Sequence, residues 1–184
     1  MSAGDTALAV IDVQERLAPA IGGIQRIVWN IRRLIDGAKL LGLPVVATEQ
    51  YPQGLGRSVP ELAGRLGEVP AKLSFSGLGC PGIFQGLKDQ GICKLLLTGI
   101  EAHVCVQQTA LDLLAAGWQV YLAVDAVGSR AELDAQTAIR RMDSSGVTLT
   151  TTEAALFEWC REAGTPQFKQ ISRLVREAPP ADSP

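Results

Sequence analysis

Residues 95–118, LLLTGIEAHVCVQQTALDLLAAGW, contain a strand, a turn and a helix in direct succession. The apolar run at 94–99 ends in Thr98 and Gly99 and predicts a buried strand. Cys105 follows, and the apolar spacing of 106–117 then predicts a helix. The cysteine therefore lies at a strand-to-helix turn. It is either a buried core residue or a nucleophile that faces a cleft.

The rest of the chain repeats this alternation of strand and helix. Strands are predicted at 7–12, 44–49, 94–99, 119–124 and 147–151, and helices at 24–42, 83–90, 106–117, 131–146, 153–164 and 166–178. Residues 50–82 are interpreted as irregular, with a short EVPAK segment before Lys72. Such alternation favours an α/β fold in three layers, with a parallel sheet covered by helices on both faces.

The length of 184 residues and the hydrophobic content of 47% predict one domain over residues 1–184. Neither a repeat nor a linker divides the chain. We expect the core to span about 7–160, followed by a C-terminal helix and a proline-rich tail that frays.

Composition argues against several classes of partner. A net charge of −2 provides no basic stripe for nucleic acid or for an anionic membrane surface. The N-terminus lacks the pattern of a signal peptide, and no apolar run has membrane-spanning length, so we expect a cytoplasmic protein. Four cysteines without a CxxC pair and a single histidine argue against a disulfide framework and a zinc site. The glycines of PQGLGRS are interpreted as turn residues, and no cofactor is predicted.

Three residues are candidates for chemistry. Parallel sheets of this kind bind ligands at the carboxyl ends of their strands. Asp12 ends the first predicted strand, Lys72 follows EVPAK, and Cys105 follows the strand at 94–99. If the first and fourth strands are neighbours, Asp12 and Cys105 face one crevice, which a lysine can reach from farther away. Taken singly, each has an ordinary alternative: a core cysteine, a turn aspartate and a surface lysine.

Four segments together resemble a known family. AVIDVQ at 9–14, VVATEQYPQGLG at 45–56, AKLSFS at 71–76 and the long block at 98–130 are similar, in order and spacing, to the isochorismatase-like cysteine hydrolases. The similarity is greatest to the isochorismatase domain-containing proteins and spans about 8–152. It implies a Rossmann-like six-stranded parallel sheet in the order 3-2-1-4-5-6. It also implies a homo-oligomer, either dimer or tetramer.

The resemblance also implies a site. Its catalytic triad falls on Asp12, Lys72 and Cys105, its cis peptide on Ile100–Glu101, and its oxyanion donors on the backbone N–H groups of Glu101 and Cys105. The implied substrate pocket consists of Gln14, Leu17, Gln50, Tyr51, Leu73, Phe75 and His103. Metal-dependent relatives carry histidines after the second strand, where this chain has none, so we expect no metal.

The expected chemistry is nucleophilic. A thiol with an ordinary pKa near 8.5 requires a base or a nearby cation at neutral pH. Asp12 would accept its proton and Lys72 would stabilise the anion, so we expect the pKa of Cys105 to be lowered. The predicted function is hydrolysis of a small amide or related carbonyl substrate through a thioacyl-enzyme. His103 is an alternative base. Two other functions remain open: a non-catalytic interaction protein and a redox-responsive thiol protein.

Overall fold

The computed structural model describes residues 1–181. Its sheet is built from six strands that are all parallel, in the order β3-β2-β1-β4-β5-β6. The strands are β1 (Thr6–Ile11), β2 (Val45–Gln50), β3 (Ala71–Lys72), β4 (Lys94–Ile100), β5 (Gln119–Gly128) and β6 (Thr148–Thr150). The predicted fold class and strand order are confirmed.

Helices cover the two faces of this sheet. They are α1 (Ile24–Leu40), α2 (Pro52–Leu55), α3 (Pro60–Ala63), α4 (Pro81–Asp89), α5 (Gln107–Ala115), α6 (Glu132–Ser144), α7 (Thr152–Cys160) and α8 (Pro166–Val175). Alternate residues of the fully buried β1 divide between the layers. Leu8 and Val10 pack with α1, α7 and α8, whereas Ala7, Ala9 and Ile11 pack with α4, α5 and α6.

The region 50–82, expected to be irregular, contains short elements. The helices α2 and α3 each have four residues, and β3 has two. Such short elements leave no periodic pattern in a sequence. They matter because β3 pairs with β2 through Gln50 and Lys72, which brings the lysine to the edge of the sheet.

Gly99 allows β1 and β4 to approach each other directly below the site. Its φ is +119°, and a Cβ atom at this position would lie 2.0 Å from the carbonyl oxygen of Ile11. Only glycine fits such a contact. The residues that follow β1 and β4, Asp12 and the segment containing Cys105, are therefore held side by side.

No helix among residues 1–181 is long and apolar enough to cross a membrane. The last residues of the proline-rich tail, 182–184, lie outside the described residues.

Candidate active site

The three candidate residues meet at the carboxyl edge of the sheet. Asp12 follows β1, Lys72 ends β3, and Cys105 lies in one turn of π-helix, Ala102–Val106, between β4 and α5. The peptide bond between Ile100 and Glu101 is cis. Because β1 and β4 are neighbours, Asp12 and the π-helical turn open onto the same side of the sheet.

Asp12 and Lys72 form a buried ion pair. Lys72 Nζ lies 2.6 Å from Asp12 Oδ2, and neither side chain has exposed surface. Asp12 has a left-handed backbone, with φ of 52°. Its other carboxylate oxygen, Oδ1, accepts a hydrogen bond of 2.8 Å from the hydroxyl of Thr48. Both oxygens of the carboxylate therefore have fixed partners.

The ammonium of Lys72 is directed into the protein. Besides Asp12, it lies 2.9 Å from Gln50 Oε1, 2.9 Å from the carbonyl oxygen of Phe75 and 3.3 Å from that of Ser74. An ammonium has three protons to donate. Four acceptors share these three protons, so the hydrogen bonds of Lys72 are all made to Asp12, Gln50 and the 73–75 segment.

Cys105 is a buried thiol whose pKa is raised, chiefly by burial and then by the negative charge of Asp12. The charge of Glu101 also raises this pKa, whereas the charge of Lys72 acts in the lowering direction. The expectation of a lowered thiol pKa is therefore wrong. It gave too little weight to desolvation, and the charge of Lys72 is largely balanced by its pairing with Asp12.

Gln14 fixes the loop after β2. Its amide nitrogen donates to the carbonyl oxygens of Gln50, at 3.0 Å, and Gly56, at 2.7 Å, and its Oε1 accepts from the N–H of Gln50 at 2.8 Å. The neighbouring Glu49 accepts from the backbone and the hydroxyl of Ser58. Gln14 thus supports the site from within the protein, and Gln50 contacts Lys72.

Thr109 connects the two halves of the site. Its hydroxyl donates to the carbonyl oxygen of Cys105 at 2.6 Å and accepts from the N–H of Gly77 at 2.7 Å. Gly77 follows the 73–75 segment that surrounds the lysine ammonium. One buried hydroxyl therefore joins the turn that carries the thiol to the loop that holds Lys72.

Three large apolar side chains border this edge and remain in contact with solvent. Tyr51, Leu73 and Phe75 are 50%, 77% and 51% exposed. Their backbones are fixed to the site, because Tyr51 N–H donates to the Lys72 carbonyl oxygen and Gln50 donates to that of Leu73. Leu17 instead packs, half-buried, against the core on the α1 face. We call Tyr51, Leu73 and Phe75 the apolar rim.

On the other side of Cys105 lies a second ion pair. Glu101 Oε1 accepts from Nε of Arg130, at 2.9 Å, and from its backbone N–H, at 3.2 Å. His103, half-buried, turns towards the same region: Nδ1 is 2.9 Å from Ser129 Oγ, and Nε2 is 3.9 Å from Asp134. The partners of this histidine are thus on the β5 side, away from Asp12.

A separate cavity of about 670 Å³ lies beside α1, with Val28, Trp29 and Pro60 among its lining residues. None of the residues predicted for the site lines it.

Within residues 1–181, no group of three or more histidine, cysteine, aspartate or glutamate side chains is arranged to hold a metal ion.

The parallel sheet and the residues at its carboxyl edge indicate the class of protein. The profile of the isochorismatase domain matches residues 6–154. The chain belongs to the isochorismatase family.

The similarity extends to individual proteins. Mouse isochorismatase domain-containing protein 2A is 39% identical over 174 residues, which cover 94% of this chain and 84% of the mouse protein. A structure described as MAR1 ribonuclease from Caenorhabditis elegans is 39% identical with a TM-score of 0.91, covering 99% of this chain and 95% of that one. The Escherichia coli YcaC structure, described as an octameric hydrolase of unknown specificity, is 26% identical with a TM-score of 0.81, covering 88% and 82%.

Thr48, Thr109 and Arg130 were not identified from the sequence. Threonine is common in strands and helices, so neither threonine carries a signal of its own. Arg130 is an exposed charge in a loop. What could have drawn attention to Thr48 is its position near the end of a strand that borders the strand of Asp12.

Proposed function

We propose that this protein is a cysteine hydrolase that cleaves a small amide, or a related carbonyl substrate, through a thioacyl-enzyme. One observation carries the proposal. The Asp12 carboxylate, whose charge raises the pKa of the buried Cys105 thiol, is itself held by Lys72 and Thr48. Asp12, Lys72 and Cys105 would then be the catalytic residues, with Asp12 as base.

The raised pKa of Cys105 determines how the first step begins. The resting enzyme holds a neutral thiol, so its proton must leave as the sulfur attacks. Asp12 accepts that proton while Sγ forms a bond to the carbonyl carbon. The carbonyl oxygen becomes an oxyanion, for which we propose the backbone N–H groups of Glu101 and Cys105 as donors. One such donor is typically worth about 10²–10³ in rate.

The second half of the reaction reverses the proton path. Asp12 returns its proton to the leaving nitrogen as the C–N bond breaks, which releases an amine or ammonia and leaves the acyl group on Cys105. Asp12 then accepts a proton from water, whose oxygen attacks the thioester carbonyl. Breaking the C–S bond releases a carboxylic acid and returns the proton to sulfur. Throughout, Lys72 holds the Asp12 carboxylate in place.

The apolar rim indicates the side groups of the substrate. Tyr51, Leu73 and Phe75 project from backbone positions bound to Gln50 and Lys72, and Lys72 has no proton left for an anionic ligand. Gln14 holds the loop that carries Tyr51, and His103 borders the β5 side of the pocket. We therefore propose an uncharged amide with an apolar substituent.

The alternatives fit the site less well. A redox-responsive cysteine needs a large thiolate fraction, whereas burial and Asp12 raise the pKa of Cys105. A purely structural interaction protein has no use for a buried ion pair, whose desolvation is costly.

As a further part of the proposal we expect a homo-oligomer, dimer or tetramer, which light scattering would test.

The proposed function is tested with a panel of small amides. Acetamide, hexanamide and benzamide would be incubated with the protein, and the release of ammonia would be measured. We expect turnover that favours the two apolar amides. Intact-mass spectrometry after rapid acid quenching should find the acyl group on the peptide that contains Cys105.

Matched variants make the test specific. Cys105→Ala, Asp12→Asn and Lys72→Met should abolish turnover, whereas Cys93→Ala, which changes an exposed cysteine, should retain it. An RNA oligonucleotide belongs in the panel because of the description of the C. elegans structure. Turnover of RNA without any amide, or amide turnover that survives Cys105→Ala, would contradict the proposal.

A further inference from the structure

We propose that Thr48 is a positioning residue that orients the Asp12 carboxylate beside Cys105. The inference rests on the proposed role of Asp12 as the base. It assigns a function to a strand residue that has no reactive group of its own.

Thr48 contacts Asp12 twice. The N–H of Asp12 donates to the carbonyl oxygen of Thr48 at 3.2 Å, and the hydroxyl of Thr48 donates to Asp12 Oδ1 at 2.8 Å. Thr48 is buried, and its neighbour in the β1–β2 register is Ile11, the residue before Asp12. Both strands therefore fix where this hydroxyl lies.

The two oxygens of the carboxylate have different partners. Oδ2 pairs with Lys72 and Oδ1 with Thr48, so a rotation of the carboxylate would weaken both contacts. The hydroxyl thus fixes the orientation of the base relative to the thiol.

Several titratable groups surround this carboxylate. They are Lys72 from β3, Cys105 and Glu101 from the segment after β4, and Cys80 at the start of α4. None of them belongs to β2. A substitution of Thr48 therefore removes one hydrogen bond from Asp12 and leaves every neighbouring charge in place.

The experiment measures the rate at which iodoacetamide alkylates Cys105 at about pH 7, with Asp12 acting as the base for the thiol. Thr48→Val removes the hydroxyl at nearly constant shape, and Thr48→Ser retains it. Thr48→Val should slow alkylation about tenfold, because one hydrogen bond that orients the base is lost. Thr48→Ser should restore the rate.

A merely structural role would slow alkylation by the same factor whether or not residue 12 carries a carboxylate. An unchanged rate in Thr48→Val, an equal loss in Thr48→Ser, or an equal loss when Thr48→Val is combined with Asp12→Asn would overturn the proposal. If Thr48→Val fails to fold, as monitored by circular dichroism, Thr48→Ala supplies the same comparison.

Asp12→Asn separates this inference from the proposed function. With no carboxylate left to orient, Thr48→Val should have no further effect on alkylation in the Asp12→Asn protein. If no amide is turned over but Thr48→Val slows alkylation only while Asp12 is present, the hydrolase proposal fails and the positioning role of Thr48 stands.

Discussion

Two ion pairs flank Cys105, and they differ in their contact with water. On one side Lys72 and Asp12 are both without exposed surface. On the other, Arg130 is 62% exposed while Glu101 is only 7% exposed. The sheet order explains the arrangement, because β3 and β1 lie on one side of β4 and β5 lies on the other.

The difference in exposure indicates different roles for the two ion pairs: the buried pair is suited to proton transfer, and the exposed pair to structural support. In the buried pair, each charge has lost its water and depends on its partner and on the surrounding hydrogen bonds. Such a pair keeps its geometry and suits a proton relay. In the second pair, Arg130 keeps its hydration, so the contact is weak and sensitive to salt. It anchors the loop after β5 beside the turn of Cys105.

The largest effect should come from Lys72→Met, which leaves Asp12 buried without its cation. We expect a loss of about 3–5 kcal/mol in the free energy of unfolding, because an uncompensated buried charge is costly. Urea unfolding at pH 7 measures it. Arg57→Met is the matched control: it also removes a cation from a buried carboxylate, Glu49, but Arg57 is itself exposed. If both variants lose the same small amount of unfolding free energy, the distinction between buried and exposed pairs fails.

The next effect concerns Thr109, which ties the Lys72 side to the thiol. Thr109→Val leaves the N–H of Gly77 buried without its acceptor, at a cost of about 1–3 kcal/mol. Thr109→Ser keeps the hydroxyl and serves as control. We also expect Thr109→Val to lower kcat more than it changes KM, since it loosens the thiol turn. If Thr109→Val is as stable as Thr109→Ser, the hydrogen bonds of the Thr109 hydroxyl are dispensable for stability.

A smaller effect, on the pH dependence of stability, follows from the raised pKa of Cys105. Burial and Asp12 cause that rise. The unfolded thiol ionises near its ordinary pKa of about 8.5, whereas the folded thiol keeps its proton. Above that pH the unfolded state binds fewer protons, so stability falls as pH rises, by about 1.4 kcal/mol per pH unit. At lower pH this contribution is constant.

Urea unfolding at pH 7.5 and pH 9.5, conditions about one unit either side of the ordinary thiol pKa, measures this slope. Cys105→Ala should reduce it, while Cys93→Ala, at an exposed position, should retain it. Cys80, whose pKa burial also raises, is present in both variants and cancels. An equal slope in the two variants would mean that the folded thiol ionises normally.

The sequence was informative where a pattern repeats. The alternation of strands and helices predicts the layers. Once the family resemblance makes β1 and β4 neighbours, their ends predict that Asp12 and Cys105 face one crevice. It was uninformative where a contact depends on three-dimensional neighbours. The hydroxyls of Thr48 and Thr109 act across strands and loops that are distant in the chain. Their roles follow from register, which composition does not encode.

The pKa of Cys105 shows why the sign of an electrostatic effect is hard to predict. A sequence indicates that a cation such as Lys72 is available, but it does not show which neighbouring groups that cation pairs with. Here Lys72 donates to Asp12, Gln50 and backbone carbonyls, and burial dominates the thiol. The family resemblance implies which residues form the site. Their protonation depends on burial and on partners that only the structure provides.

The smallest effect should come from Arg130→Gln on the exposed side. The substitution removes the cation of Glu101, but the glutamine can still donate a hydrogen bond, and the backbone N–H of Arg130 continues to bind Glu101 Oε1. We expect a loss of stability well below that of Lys72→Met. It should disappear as salt is raised from low ionic strength to about 1 M, where the screening length is about 3 Å. The loss in Lys72→Met should persist, because its charges are shielded from the salt solution. Urea unfolding of both variants at the two salt concentrations measures this, with Arg26→Gln on α1 as a surface control. If salt abolishes both losses, the Asp12–Lys72 pair is open to solvent, and the contrast between the two sides of Cys105 does not hold.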